Sequence, residues 1–152
     1  MKGQECMQVP GRVFYPQVGE LLRQGHSVRM KVRGDSMNPF LVDGRDEVVL
    51  DPLAGAVDGV QSGMVVFARL GNGRYVLHRV ARVSGTRLEL QGDGNVSATE
   101  QVPAADVLGV AGRVVRKGKD ISCAGRLWKS YTVVWHLLRP LRRELLAIWR
   151  RL

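Results

Sequence analysis

Ser36, His78 and a glycine-flanked acidic turn are the groups in this chain whose types and spacing could do chemistry. Gly34-Asp35-Ser36-Met37-Asn38-Pro39 sets Ser36 on a tight turn directly after an alternating segment. A hydroxyl held rigidly in such a place suits a nucleophile, whose attack geometry has to be fixed to within a fraction of an ångström. Gly-Asp-Ser is also a common turn composition, and alone it reads first as a plain turn. His78 lies mid-strand in Tyr75-Val76-Leu77-His78-Arg79-Val80, on the face it shares with Val76 and Val80. A lone histidine on an apolar strand face is ordinarily a satisfied core residue. Its functional reading is a general base in a low-dielectric groove, because an imidazole is neutral and competent near neutral pH. Gly92-Asp93-Gly94-Asn95 is a third polar turn, two residues past Leu90, and on its own it is simply a loop.

The elements that would position these groups are mostly strands. Residues 17–25 read as a short helix ending at Gly25. Val28, Met30 and Val32 then alternate with Arg29, Lys31 and Arg33, the period of a half-buried strand that Gly34 ends. Further strands are expected at 47–50, 64–70, 74–83, 87–91 and 107–115, with 51–63 loop-like and Gly71-Asn72-Gly73 and Ser84-Gly85-Thr86 as turns. The 18 Gly of the 152 residues fit many tight turns and so many short strands. The expected fold is a mainly β, barrel-like domain over residues 1–115 with a short N-terminal helix, followed by a basic, amphipathic helical extension over 116–152.

That extension carries the charge. From Arg116 onward there are ten Lys/Arg against Asp120 and Glu144, whereas the first 115 residues hold thirteen against twelve, within a net charge of +9. A nucleic-acid-binding body would spread its basic residues over its own surface, so no nucleic-acid partner is expected. Leu141, Leu145, Leu146, Ile148, Trp149 and Leu152 fall in one helical arc, opposite Arg143, Arg150 and Arg151, with Arg142 near the boundary. Pro140 suits the first turn of this helix, which makes the segment before it a separate element. The apolar arc fits packing on the β body and fits an anionic membrane surface; both readings stay open. No apolar run is long enough for a signal-peptide core or a membrane span, so the expected location is the cytoplasm, with peripheral contact at the inner membrane face through the tail. Cys6 and Cys123 are far apart and lack a CxxC partner, which favours two thiols over a disulfide. Three His and two Cys without ligand spacing suggest no metal site.

The order of the pieces is more specific than any one of them. A strand, GDSMNPFL, a hairpin, YVLHRV, a short strand, QGDGN and a closing GVAGRVV resemble, from about Val28 to Val115, the box order of the S24/S26 superfamily of serine peptidases, which holds the signal peptidases and the SOS repressors. Leu77-His78-Arg79-Val80 is similar to the branch with histidine, rather than lysine, as base. The resemblance implies a Ser36–His78 pair, backbone N–H groups around Ser36 for the oxyanion, and Asp35, Met37 and Pro39, with Phe40, near the substrate groove. It implies a third member at Asp93, with Glu100 as the alternative, and no cofactor. The chain departs from the pattern in four places. Gly34 stands where many signal peptidases carry an oxyanion-assisting serine, and Gly63-Met64-Val65-Val66 lacks the acidic residue of its box. Val96-Ser97-Ala98-Thr99 occupies the stretch that carries the histidine-orienting aspartate, and the N-terminal anchor is missing.

The function this implies is a serine endopeptidase making limited cuts in a protein or peptide substrate with small side chains at the cut. The substrate would be extended and paired to a strand edge. Two other readings stay open: a catalytically inactive peptide- or membrane-binding module on the same fold, and a self-cleaving regulator. The last is disfavoured because about 27 residues precede the first strand, too few for a helix-turn-helix domain.

Overall fold

The computed structural model describes residues 11–53 and 59–152, with side chains from Val13 onward. Cys6 and the middle of the 51–63 loop lie outside the described residues. Helix α1 (Gly11–Arg23) precedes strands β1 (Val28–Lys31), β2 (Asp46–Pro52), β3 (Val65–Arg69), β4 (Tyr75–Ser84), β5 (Arg87–Gln91), β6 (Glu100–Pro103), β7 (Val107–Arg116) and β8 (Lys119–Ser122). Helices α2 (Arg126–Leu137) and α3 (Arg142–Arg151) follow. Strand accounts for 36% of the described residues against 30% for helix, so the mainly β expectation holds.

All the pairings are antiparallel, and the sheet runs β1-β2-β7-β3-β4-β5-β6 with β8 added to β7. Register shifts at Val49/Leu50, Phe67/Ala68 and Val80/Arg82 are bulges. Each one bends its strand and raises the local twist, which curls the sheet into a half-barrel. One core lies inside the curl: Val18 and Leu22 of α1 pack with Met30, Leu50, Phe67 and Val114, all buried. A second core gathers Val66, Val80, Leu88, Leu90 and Val102 on the other side of β3, β4 and β5.

Two strands are absent from the sequence reading, and β2 runs on through Asp51 and Pro52, both expected in a loop. Glu100-Gln101-Val102-Pro103 pairs with β5 and Lys119-Asp120-Ile121-Ser122 with β7. The sheet therefore continues to Ser122, and the helical part begins at Arg126 rather than at 116. Helix α1 starts earlier than 17 and contains Pro16. The tail is packed on the body through Trp128 and Trp135 of α2 and Arg142 and Leu146 of α3. Pro140 sits in a short 3-10 turn (Arg139–Leu141) that separates those helices. Cys123 is a free, half-buried thiol that burial pushes up to about 12, so it stays protonated at neutral pH.

Asp46 opens β2 with a fully buried carboxylate. It accepts from Arg116 Nε at 2.8 Å, Arg45 Nη2 at 2.9 Å and the Val42 N–H at 2.9 Å. Burial alone raises this carboxyl, but the two guanidinium groups and the amide outweigh it and hold the group below the usual carboxylate range. A depressed folded-state pKa contributes stability above the unfolded value of about 3.9 and loses it as pH falls further. Urea midpoints of the wild type should therefore drop as pH is lowered below about 4. The Asp46→Asn variant should be less stable at neutral pH and show a shallower acid slope. Equal slopes in the two proteins would rule out this account.

Candidate active site

The Ser36 turn is held from three sides. Gly34 leaves β1 at φ +77°, a left-handed conformation that suits glycine, and its N–H donates to Asp43 Oδ2 at 2.9 Å. Inside the turn the Asn38 N–H donates to the Asp35 carbonyl at 3.1 Å and the Leu41 N–H to the Met37 carbonyl at 2.9 Å. Met37 is buried in the inner core. Arg116 Nη2 donates to the Phe40 carbonyl at 2.8 Å, and Arg45 Nη2 reaches the same oxygen at 3.3 Å. The Phe40 ring stacks on Tyr131 with centroids 4.5 Å apart and meets the edge of Trp128. Helix α2 thus backs the turn that carries the serine.

The glycine turn at 92–95 explains its composition here. The Gly94 N–H donates to the Ser36 carbonyl at 2.8 Å. A Cβ at Gly92 would run into that same carbonyl, and one at Gly94 into the Asp35 carbonyl. Only glycine lets the two backbones approach this closely. The Asp93 N–H points at Met37 Sδ, 3.5 Å away.

His78 of β4 is buried, and its Nδ1 lies 2.9 Å from Glu100 Oε2. An ionised carboxylate can only accept, so Nδ1 is the nitrogen that carries a hydrogen toward Glu100, and in the neutral tautomer this contact selects, the lone pair is on Nε2. Register explains the meeting: Glu100 pairs with Leu90, which pairs with Val80, two residues along β4 from His78. Asp93, the third member that the resemblance implies, is not brought to His78. Both of its oxygens are taken by Arg79, at 2.8 Å from Nε and 2.7 Å from Nη2. Arg79 follows His78 in β4 and so points the other way. Its remaining nitrogen donates to the Gly63 carbonyl and to Thr132 Oγ1 of α2, each at 2.9 Å, and its guanidinium lies 5.0 Å from the Phe40 ring centroid. In the sequence Arg79 stands only as the neighbour of His78 in Leu77-His78-Arg79-Val80, with no role expected of it. The signal for one is a charge flanked by buried residues in a strand, which has to find a partner.

Ser36, His78, Glu100 and Asn95 line one cleft of about 330 Å³. Its wall is apolar, from Met30, Val32, Phe67, Tyr75 and Leu77, and Arg33 and Arg74 also line it. Of the four groove residues expected from sequence, Met37 lines the cleft, while Asp35, which is exposed, Pro39 and Phe40 do not. Ser36 and His78 share the cleft without a hydrogen bond to each other. Such bonds are often loose before substrate arrives and tighten in the Michaelis complex. The arrangement offers a hydroxyl, an oriented imidazole and an apolar slot beside β1, a terminal strand of the sheet. Among the described residues no cluster of His, Cys, Asp and Glu could hold a metal ion. No protein-family model matches the chain, and no curated protein matches it.

Proposed function

We propose that this chain is a serine endopeptidase related to the signal peptidases and SOS repressors, working through Ser36, His78 and Glu100. The observation that carries the reading is the 2.9 Å His78–Glu100 contact on the cleft that also holds Ser36. An extended peptide adds to the edge strand β1 and places its scissile carbonyl over Ser36. The Ser36 hydroxyl gives its proton to His78 Nε2 as its oxygen bonds to the carbonyl carbon. The Ser36 N–H, which has no acceptor among the described residues, is available to the oxyanion. The imidazolium, steadied by Glu100, returns the proton to the leaving nitrogen as the C–N bond breaks. Water, giving a proton to His78 Nε2, then attacks the acyl carbon, and the imidazolium returns that proton to Ser36 Oγ as the ester C–O bond breaks. No step calls for a cofactor.

The test is a comparison of wild type with Ser36→Ala on an alanine-rich peptide library and on membrane and cytosolic extracts, with new N-termini read by mass spectrometry. Products made by wild type and missing with Ser36→Ala are expected, and their flanking residues give the cleavage rule. If both proteins leave every source uncut yet retain peptides equally well, the cleft is a binding module instead.

A further inference from the structure

We propose that the outward faces of α2 and α3 form a docking surface for an anionic lipid bilayer, on which the protein lies without crossing it. This rests on the tail alone and does not depend on the peptidase reading.

Helix α2 is apolar on two sides, and the body covers one. Trp128, Tyr131, Thr132 and Trp135 face the sheet. At about 100° per residue, Leu127, Val133, Val134 and Leu137 fall within an arc of about 120° turned away from them. These four are all more than half exposed, with Leu127 at 86% and Leu137 at 71%. Leu141, Ile148 and Leu152 continue the pattern beside the half-buried Leu145 and Trp149 of α3. Seven of the eleven large apolar side chains that are exposed among the described residues therefore lie from Leu127 onward. Scattered exposed apolar residues need no explanation, but a run of them confined to two helices marks an interaction surface.

Charge identifies the occupant. Arg126 and Lys129 of α2, Arg139 of the connecting turn, and Arg143, Arg150 and Arg151 of α3 are all exposed, and from Arg126 to the end Glu144 is the lone acid. The core of a protein–protein interface is depleted in charge, whereas exposed cations stand on both of these helices. Phosphate headgroups can meet every one of these cations while the leucine and valine side chains enter the acyl boundary. Twelve residues of α2 reach about 18 Å, short of a hydrocarbon core of about 30 Å. No helix among the described residues is long and apolar enough to cross a membrane. The helices therefore lie in the interface plane.

The experiment is co-sedimentation of the full chain with phosphatidylcholine vesicles, with and without phosphatidylglycerol, over a range of salt. Binding should require the anionic lipid and weaken as salt rises. Leu127→Asp and Leu137→Asp should each lower partitioning by roughly tenfold or more, since each takes a large apolar side chain out of the acyl region. Arg126→Gln and Arg139→Gln should each lower it roughly fivefold at low salt. All four sites are exposed, so thermal unfolding should be unchanged, and Ser36→Ala should bind like wild type. No binding to either vesicle, or binding indifferent to both leucine variants, overturns the proposal. So does self-association in sedimentation velocity that Leu137→Asp abolishes, because the face would then be a protein interface.

Discussion

Alanine at Ser36 or at His78 is expected to lower kcat by on the order of 10⁴–10⁶-fold, and the double variant should be little worse than either single one. In the proposed mechanism nucleophile and base act as a unit: without the imidazole the hydroxyl is a poor attacker, and without the hydroxyl the imidazole has nothing to activate. Glu100→Gln should cost about 10³–10⁴-fold in kcat with KM nearly unchanged. Its amide can present N–H to His78 Nδ1, which moves the imidazole hydrogen to Nε2 and removes the lone pair that the reaction needs. The glutamate side chain is partly exposed, so the fold should survive this change. Single-turnover rates on a peptide recovered from the N-terminal screen would decide the matter. A Glu100→Gln protein that cuts at the wild-type rate would remove Glu100 from the mechanism.

Asp93→Asn should show the opposite pattern, a loss of stability of about 3–5 kcal/mol. The Asp93 side chain is 1% exposed and that of Arg79 is 9% exposed, so solvent cannot rescue the guanidinium left behind. Arg79 also ties Thr132 and the Gly63 carbonyl into the same node, and losing its counter-charge loosens α2 as well as the 92–95 turn. Urea unfolding with an unchanged m-value would read the cost directly. Among the molecules that remain folded, the pH profile of kcat/KM should match that of wild type. A variant of wild-type stability whose activity has vanished would instead place Asp93 with His78 in the chemistry. The two carboxylates thus separate: one orients an imidazole, the other neutralises a buried cation.

What the sequence revealed and what it hid follow from how local each signal is. Strands β3, β4, β5 and β7 are legible to within a residue because alternation and glycine turns bound them on both sides. Strand β6 is four residues with a single buried side chain, Val102, and β8 has only Ile121 half-buried, so neither carries a readable period. Pro16 reads as a boundary, yet α1 runs through it because Val18 and Leu22 anchor the helix in the core. Ser36 and His78 sit in motifs of local sequence. Their partners do not: which acid reaches His78 depends on where β6 pairs with β5, and that strand had no signal. The Asp46–Arg116 pair spans 70 positions and announces itself nowhere along the chain.

The packing of Phe40 on the edge of Trp128 and on the face of Tyr131, and the bond from Arg79 to Thr132, bear on where this protein can be trimmed. A shortened version ending at the last strand would keep all eight strands, Ser36, His78 and Glu100. It would also strip one aromatic wall from the serine turn and open the buried guanidinium to water. The residues after Gly125 are better regarded as the last course of masonry behind the cleft than as an appendage, and any shortened version meant to keep that cleft has to include α2.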